Sequence, residues 1–381
     1  MDDPHAVLPL ARHFVSRWFA LIWLGVIVVV SFYPYDLQGS NEPLLDFLFY
    51  PLPYYQRDFD NLVNVVAYLP YGFALARVPH RRWLGFLFGC CVAAGTSLAV
   101  EVTQHFFAGR VSSNLDLLYN SAGGVLGALL ATSPLFRWLG RWGLSRRYRW
   151  FVKDSSADYA LMLLAVWFLT QINPAIPLFG VVTLPRGLPQ PFASPLHDPA
   201  LFLMLVEAGG AMLHLLALLL FLTGFLTSRR YQVRSVLLFL GIAWFVKVVA
   251  AGVLLKPMAF FEWMNFHVAL GLVSGLLLAW AATRLRRGWQ HFLALLALAG
   301  SVWLSSVWPL EASPRDDMVL FRWSYGHLRN LNALAESVSD LWPWAALAAN
   351  TVELLRQTAP HGFAPDWAAW RDGAFVVDPV R

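Results

Sequence analysis

Residues 101–124 read EVTQHFFAGRVSSNLDLLYNSAGG. Glu101, Gln104, Arg110, Asp116 and Asn120 fall here between two runs whose other residues suit a hydrocarbon environment. The preceding run, from Trp83 to Val100, has no charged residue, and neither does the run from Leu117 to Leu135. Ionisable groups are costly at membrane depth and are kept there only when they pair or serve a site. The position of this stretch relative to the bilayer therefore decides how the chain is read.

Working outward, the rest of the chain is of the same kind. Hydrophobic residues make up 58% of the 381 and charged ones only 13%, with a mean hydropathy of +0.54. Such a composition belongs to a polytopic membrane protein rather than a soluble domain. Stretches near 17–34, 61–77, 83–105, 115–135, 158–174, 199–227, 235–255, 264–283 and 290–309 are long and apolar enough to be expected as spans. The predicted fold class is an all-α transmembrane bundle of nine spans, or ten if the short apolar segment Trp342–Val352 also crosses. Arg12 and Arg17 before the first span resemble the start of a signal peptide. No small-residue cleavage site follows, so that segment is expected to stay as an anchor. The net charge of +5 is spread as short runs between spans, which excludes a nucleic-acid surface and marks topology instead. Cys90 and Cys91 are adjacent within one apolar run and form neither a disulfide framework nor a metal spacing.

Lys and Arg counts in alternating loops set the expected orientation. The N-terminal segment and the loops at 77–82, 136–157, 228–234 and 284–288 hold 17 of them, against 4 in the loops at 35–60, 105–114, 175–198 and 256–263. By the positive-inside rule the N-terminus is predicted to be cytoplasmic. The 105–114 turn is then outside. Glu101 lies 18 residues beyond Trp83, roughly 27 Å along the helix, near the outer boundary. Glu101 and Gln104 share a face at i, i+3, and Asp116 and Asn120 share one at i, i+4, as do Asp60 and Asn64 in DNLVNVVAYLPYGF. Three helices are thus expected to bring polar groups to one level, with Arg110 forked between Glu101 and Asp116. Two readings stand side by side: a hydrogen-bonded lock between helices, and an extracytoplasmic pocket for a lipid headgroup or glycan. The small residues of SAGGVLGALL favour close helix packing under either.

NVVAYLPYGF followed by EVTQHFFAGRVSSNLDLLYNSAGGVLG resembles the VanZ family of bacterial membrane proteins, through Asn64, Pro70, Gly72, Glu101, Gln104, Arg110, Asp116, Asn120 and Gly124. Many relatives carry an acid three residues after the arginine, where this chain has Ser113. The resemblance implies a bacterial inner-membrane location and, through the founding member, a link to glycopeptide antibiotic resistance, without supplying a mechanism. It divides the chain into a four-helix domain over 1–135, a basic cytoplasmic loop over 136–157, a second membrane domain of about five spans over 158–310, and a C-terminal segment over 311–381.

In the second half, Glu207 and Lys247 fall at similar depths on successive spans, which predicts an ion pair. His214 and His267 read as packed or interfacial side chains, because no metal-ligand spacing accompanies them. No metal or cofactor is expected. Leu328, Leu331, Leu334, Val338 and Leu341 recur at helical spacing and predict an amphipathic interfacial helix, with Trp342 and Trp344 at a membrane boundary and a loosely structured tail over 361–381. The functional expectation is an accessory that binds or shields a headgroup or glycan through Asn64, Glu101, Gln104, Arg110, Asp116 and Asn120. Its partners would be membrane lipids or lipid-linked glycans. No GxSxG, P-loop or HExxH motif is present. The alternatives are an enzyme using Glu101 or Asp116 as base with Arg110 on a phosphate, and a transporter lined by Glu207, His214 and Lys247.

Overall fold

The structure, a computed structural model, describes residues 4–32, 35–39, 43–51, 58–108, 110–173, 177–179, 195–261, 263–264, 266–308 and 325–358. Among them are eleven α-helices and no strands: α1 Pro4–Phe32, α2 Asp58–Leu75, α3 Arg82–Gln104, α4 Asn114–Thr132, α5 Pro134–Trp150, α6 Ser155–Trp167, α7 Pro199–Gly224, α8 Gln232–Leu254, α9 Phe266–Ala282, α10 Arg287–Val307 and α11 Tyr325–Thr358. The all-α expectation holds, and each of the nine apolar stretches coincides with a helix. By length and composition α3, α7, α8 with its preceding turn, and α10 can cross a membrane, and α4 with α5 makes a fifth if the bent pair is one span. The apolar parts of α1, α6 and α9 are shorter, at 10–17 residues. At 1.5 Å per residue they fall below the hydrocarbon thickness unless neighbours or tilt complete the passage. The expected tail over 361–381 and most of the 174–194 loop lie outside the described residues.

Two packed groups follow the chain. In the first, α4 lies against both α2 and α3, and α1 packs on α2. The contact between α2 and α4 is backbone to backbone. A Cβ on Gly127 would fall on the Leu69 carbonyl, and one on Gly72 would fall on that of Gly124. Such close approach needs small residues and is a frequent device of membrane helix pairs. Trp23 of α1 donates its indole N–H to the Ala67 carbonyl at 2.7 Å, fastening α1 to α2. In the second group α7 is central, against α9 and α10, and α11 packs along α10 and α6. The core here is built from Leu215, Leu218, Leu219 and Phe221 of α7 with Trp167, Phe179 and Phe239.

The region read as a basic loop is in large part a helix. α4 ends at Ser133, whose extended backbone is the conformation favoured before proline, and Pro134 opens α5. The Ser133 hydroxyl accepts from the Phe136 amide at 3.3 Å, and the two helices diverge by 68°. α5 then carries Arg137, Arg141, Arg146, Arg147 and Arg149 among Trp138, Trp142 and Trp150.

The C-terminal segment also departs from expectation. It is one continuous helix of 34 residues, passing through Pro343, rather than an interfacial helix followed by a separate short segment. Ala335, Val338, Trp342, Ala346 and Asn350 form a buried stripe. Trp342, expected at a boundary, is buried and donates to the Leu163 carbonyl at 2.7 Å, while Trp344 is exposed. The side chains of Leu328, Leu331 and Leu334 lie outside the described set.

Candidate functional site

The ends of four helices meet around the 105–113 connection. α1 stops at Phe32, leaving its last carbonyls without intrahelical partners. Gln104 donates its amide to the Ser31 carbonyl at 3.0 Å, and Arg110 donates from Nη2 to the Val30 carbonyl at 2.8 Å. A cation at a helix C-terminus also complements the helix dipole. Phe32 stacks on Phe107 with ring centroids 4.9 Å apart, and Ala108 donates its backbone N–H to the Asp36 carbonyl, which closes this side of the connection.

The other side is held by carboxylates. Glu101, only 1% exposed, accepts the Ser113 backbone N–H on Oε2 at 2.9 Å, and its own carbonyl accepts from the Ser112 hydroxyl at 2.6 Å. Ser113 caps α4, its hydroxyl accepting from the Asp116 amide at 3.3 Å. Asp116 in turn accepts the Asn64 amide on Oδ1 at 2.8 Å, across the α2 and α4 contact that the glycines make possible. The six residues singled out in the sequence are thus on neighbouring helix ends, and five of them, all but Asn120, bind across elements. Arg110 lies near enough to interact electrostatically with both Glu101 and Asp116, while the described hydrogen bonds of Glu101, Asp116 and Arg110 go to Ser113, Asn64 and Val30. Sequence reasoning missed α1 as a partner, for which no local signal exists, and Ser113 as a cap, for which the Ser-x-x-Asp spacing of 113–116 is a signal.

One turn further from the connection, each of the three helices carries another buried polar group: Tyr68 four residues after Asn64, Ser97 four before Glu101, and Asn120 four after Asp116. The Tyr68 and Ser97 hydroxyls are buried and close to one another, with no other hydrogen-bond partner, and the buried Asn120 side chain has no described hydrogen bond. Beside them Tyr71 and Thr96 share a hydroxyl hydrogen bond at 3.2 Å. The outer layer is hydrogen-bonded across elements, whereas in the inner layer Tyr68 and Ser97 have at most each other. Leaving buried polar groups unmatched is unfavourable by about 1–3 kcal/mol each.

Glu207 and Lys247, expected to pair, have different described contacts. Glu207 meets His267 of α9, Oε2 to Nδ1 at 2.9 Å, and Lys247, fully buried, donates to the Asn173 carbonyl at 2.7 Å. Gly271, one turn beyond His267, allows that approach, because a Cβ there would fall on the Ala208 carbonyl. His214 is buried and accepts the Trp167 indole N–H on Nε2 at 2.9 Å. Among the described residues no group of three or more His, Cys, Asp or Glu is arranged to hold a metal.

Comparison with known proteins bears on the first group of helices. Residues 18–137 match the VanZ/LLP1 family, and the protein is VanZ-like over that third of its length. A match to a curated relative, an endoglucanase of Xanthomonas axonopodis pv. citri (strain 306), is 56% identical over 39 residues, 10% of each chain. The chain therefore spans about a tenth of the length of that relative. No solved structure matches.

Proposed function

We propose that this protein is a non-catalytic accessory of the bacterial inner membrane that binds or shields a polar lipid headgroup or surface glycan at the end of the VanZ-like bundle. The observation that carries the reading is the sparsely partnered inner layer, where the buried Tyr68 and Ser97 hydroxyls have at most each other. Tyr68, Ser97 and Asn120 sit directly beneath a rim that is already hydrogen-bonded, so the cluster offers donors and acceptors beyond those a helix lock would use. A hydroxyl-rich or phosphate-bearing headgroup entering past Asn64, Glu101, Gln104, Arg110 and Asp116 supplies the missing partners. The excess of Lys and Arg in the alternate loops supports an extracytoplasmic opening, and nine crossings remain part of the proposal. A contribution to glycopeptide resistance follows only from the family resemblance.

The test is the triple change Tyr68→Phe, Ser97→Ala and Asn120→Ala. No described hydrogen bond is lost and sparsely partnered buried polar groups are removed, so the variant is expected to melt no lower than the parent. Its retention of polar lipids through purification, read by mass spectrometry of the intact protein in nanodiscs of total membrane lipid, is expected to fall at least tenfold. Unchanged retention in a variant that melts like the parent would leave the cluster as a lock alone.

A further inference from the structure

A cavity of about 650 Å³ lies between the end of α5 and the start of α8, lined by Arg146, Arg149, Trp150, Arg230, Tyr231 and Arg234. Its size is that of a ligand site. It is far along the chain from the cluster around Glu101, at the level of the basic connections.

The two walls are fastened together. Phe151 and Leu226 form an antiparallel bridge, in which Val152 donates to the Phe225 carbonyl and Thr227 to the Trp150 carbonyl, both at 2.8 Å. Trp150 stacks on Tyr231 at 5.9 Å with 20° between the rings, and Arg287 donates to the Leu226 carbonyl at 2.5 Å. The arginines are held by ring faces instead of by acids: Arg146 lies 3.4 Å over Trp142, and Arg230 lies 4.6 Å over Tyr231. The nearby carboxylates are taken. Asp158 binds Arg147 at 2.7 Å and Asp154 binds Arg356 at 3.0 Å. Among the described residues no carboxylate forms a salt bridge with Arg146, Arg149, Arg230 or Arg234, and none lines the cavity.

Four guanidinium groups converging without a counter-charge repel one another, and an anion placed among them removes that cost. The planar fork of arginine matches phosphate oxygens in pairs. On either side of Arg234 the outer face of α8 presents Val233, Leu237 and Leu238, exposed at 68%, 64% and 53%, a surface on which an acyl chain can lie. Exposed Trp138 and Trp142 on α5 suit the headgroup boundary. Basic pockets between helices, next to lipid-facing surface, are how membrane proteins hold anionic headgroups. We propose that this cavity binds the phosphate headgroup of an anionic phospholipid, with Arg146, Arg149, Arg230 and Arg234 on the phosphate oxygens and the acyl chains along α8. The site is independent of the headgroup or glycan reading given above.

The full-length protein in phosphatidylcholine nanodiscs, with or without cardiolipin, reports this directly when bound lipids are counted by native mass spectrometry. The parent is expected to retain cardiolipin over phosphatidylcholine. A variant with all four arginines changed to Gln is expected to lose that preference, by about fivefold for each arginine. Arg141→Gln with Arg286→Gln, which removes two charges outside the cavity, is expected to keep it. If the fourfold variant does not fold, the single changes Arg149→Gln and Arg234→Gln, at exposed positions, carry the comparison. Undiminished cardiolipin preference in the folded variants overturns the proposal. So does a parent in which inorganic phosphate displaces cardiolipin at equal concentration, since the site would then read a free anion and not a lipid.

Discussion

At the scale of single residues, the Asn64 to Asp116 hydrogen bond is the sharpest test of how the rim is held. It joins α2 to α4 at 2.8 Å, and Asp116 is half-buried. Removing the donor leaves a carboxylate oxygen unmatched, so Asn64→Ala is expected to destabilise by about 1–3 kcal/mol. The double change Asn64→Ala with Asp116→Ala is expected to lose less than the two single losses together. Thermal melts in detergent that show simple additivity would mean the bond contributes nothing. The residues of this site were legible because charged and amide side chains stand out in an apolar run. Their partners were not, because a carbonyl at the end of α1, 80 residues from Arg110, has no side-chain signature. Ser113 illustrates the intermediate case. It stands where many relatives of the resembled family carry an acid, and here it caps α4 and directs its own N–H to Glu101.

Whole elements show the same division. The nine apolar stretches read from hydropathy all fall on helices, because burial in lipid demands backbone bonding within each segment. α5 was hidden, since its arginines signal a loop to any count of charge while its Trp residues and proline start specify a helix. The α2 and α4 contact was foreshadowed by SAGGVLGALL, and it yields a quantitative expectation. Gly127→Ala places a methyl group on the Leu69 carbonyl and 2.7 Å from the Phe73 nitrogen, so backbone has to move. A loss of about 2–3 kcal/mol is expected. Gly95→Ala, in the interior of α3 with nothing within 4 Å of the new atom, is the matched control and is expected to gain about 0.5–1 kcal/mol. Equal effects at the two positions in a melting series would show that the helices do not approach as closely as the geometry requires.

For the whole molecule, the direction of α11 determines which of its ends lies beside the starts of α6 and α10. Near its C-terminal end Arg356 binds Asp154 at the start of α6, Gln357 lies beside Gly288 at the start of α10, and Asn350 meets His291 one turn further in, at 3.0 Å. Midway along α11, Trp342 reaches Leu163 of α6. α11 therefore runs antiparallel to both α6 and α10, and its end returns to the face where those helices begin. Those starts lie beside the basic connections, so under the positive-inside rule Gln357 is expected on the side of Ser145 and opposite Val111. In a chain with Cys90 and Cys91 changed to Ser, a cysteine at Val111, which is 81% exposed, is expected to react with an impermeant thiol reagent in intact cells. Cysteines at Ser145 and Gln357 are expected to react only after permeabilisation. Labelling of Gln357→Cys together with Val111→Cys would contradict the packing of α11 on α6, and labelling of Ser145→Cys alone would invert the orientation and put the cluster around Glu101 on the cytoplasmic face.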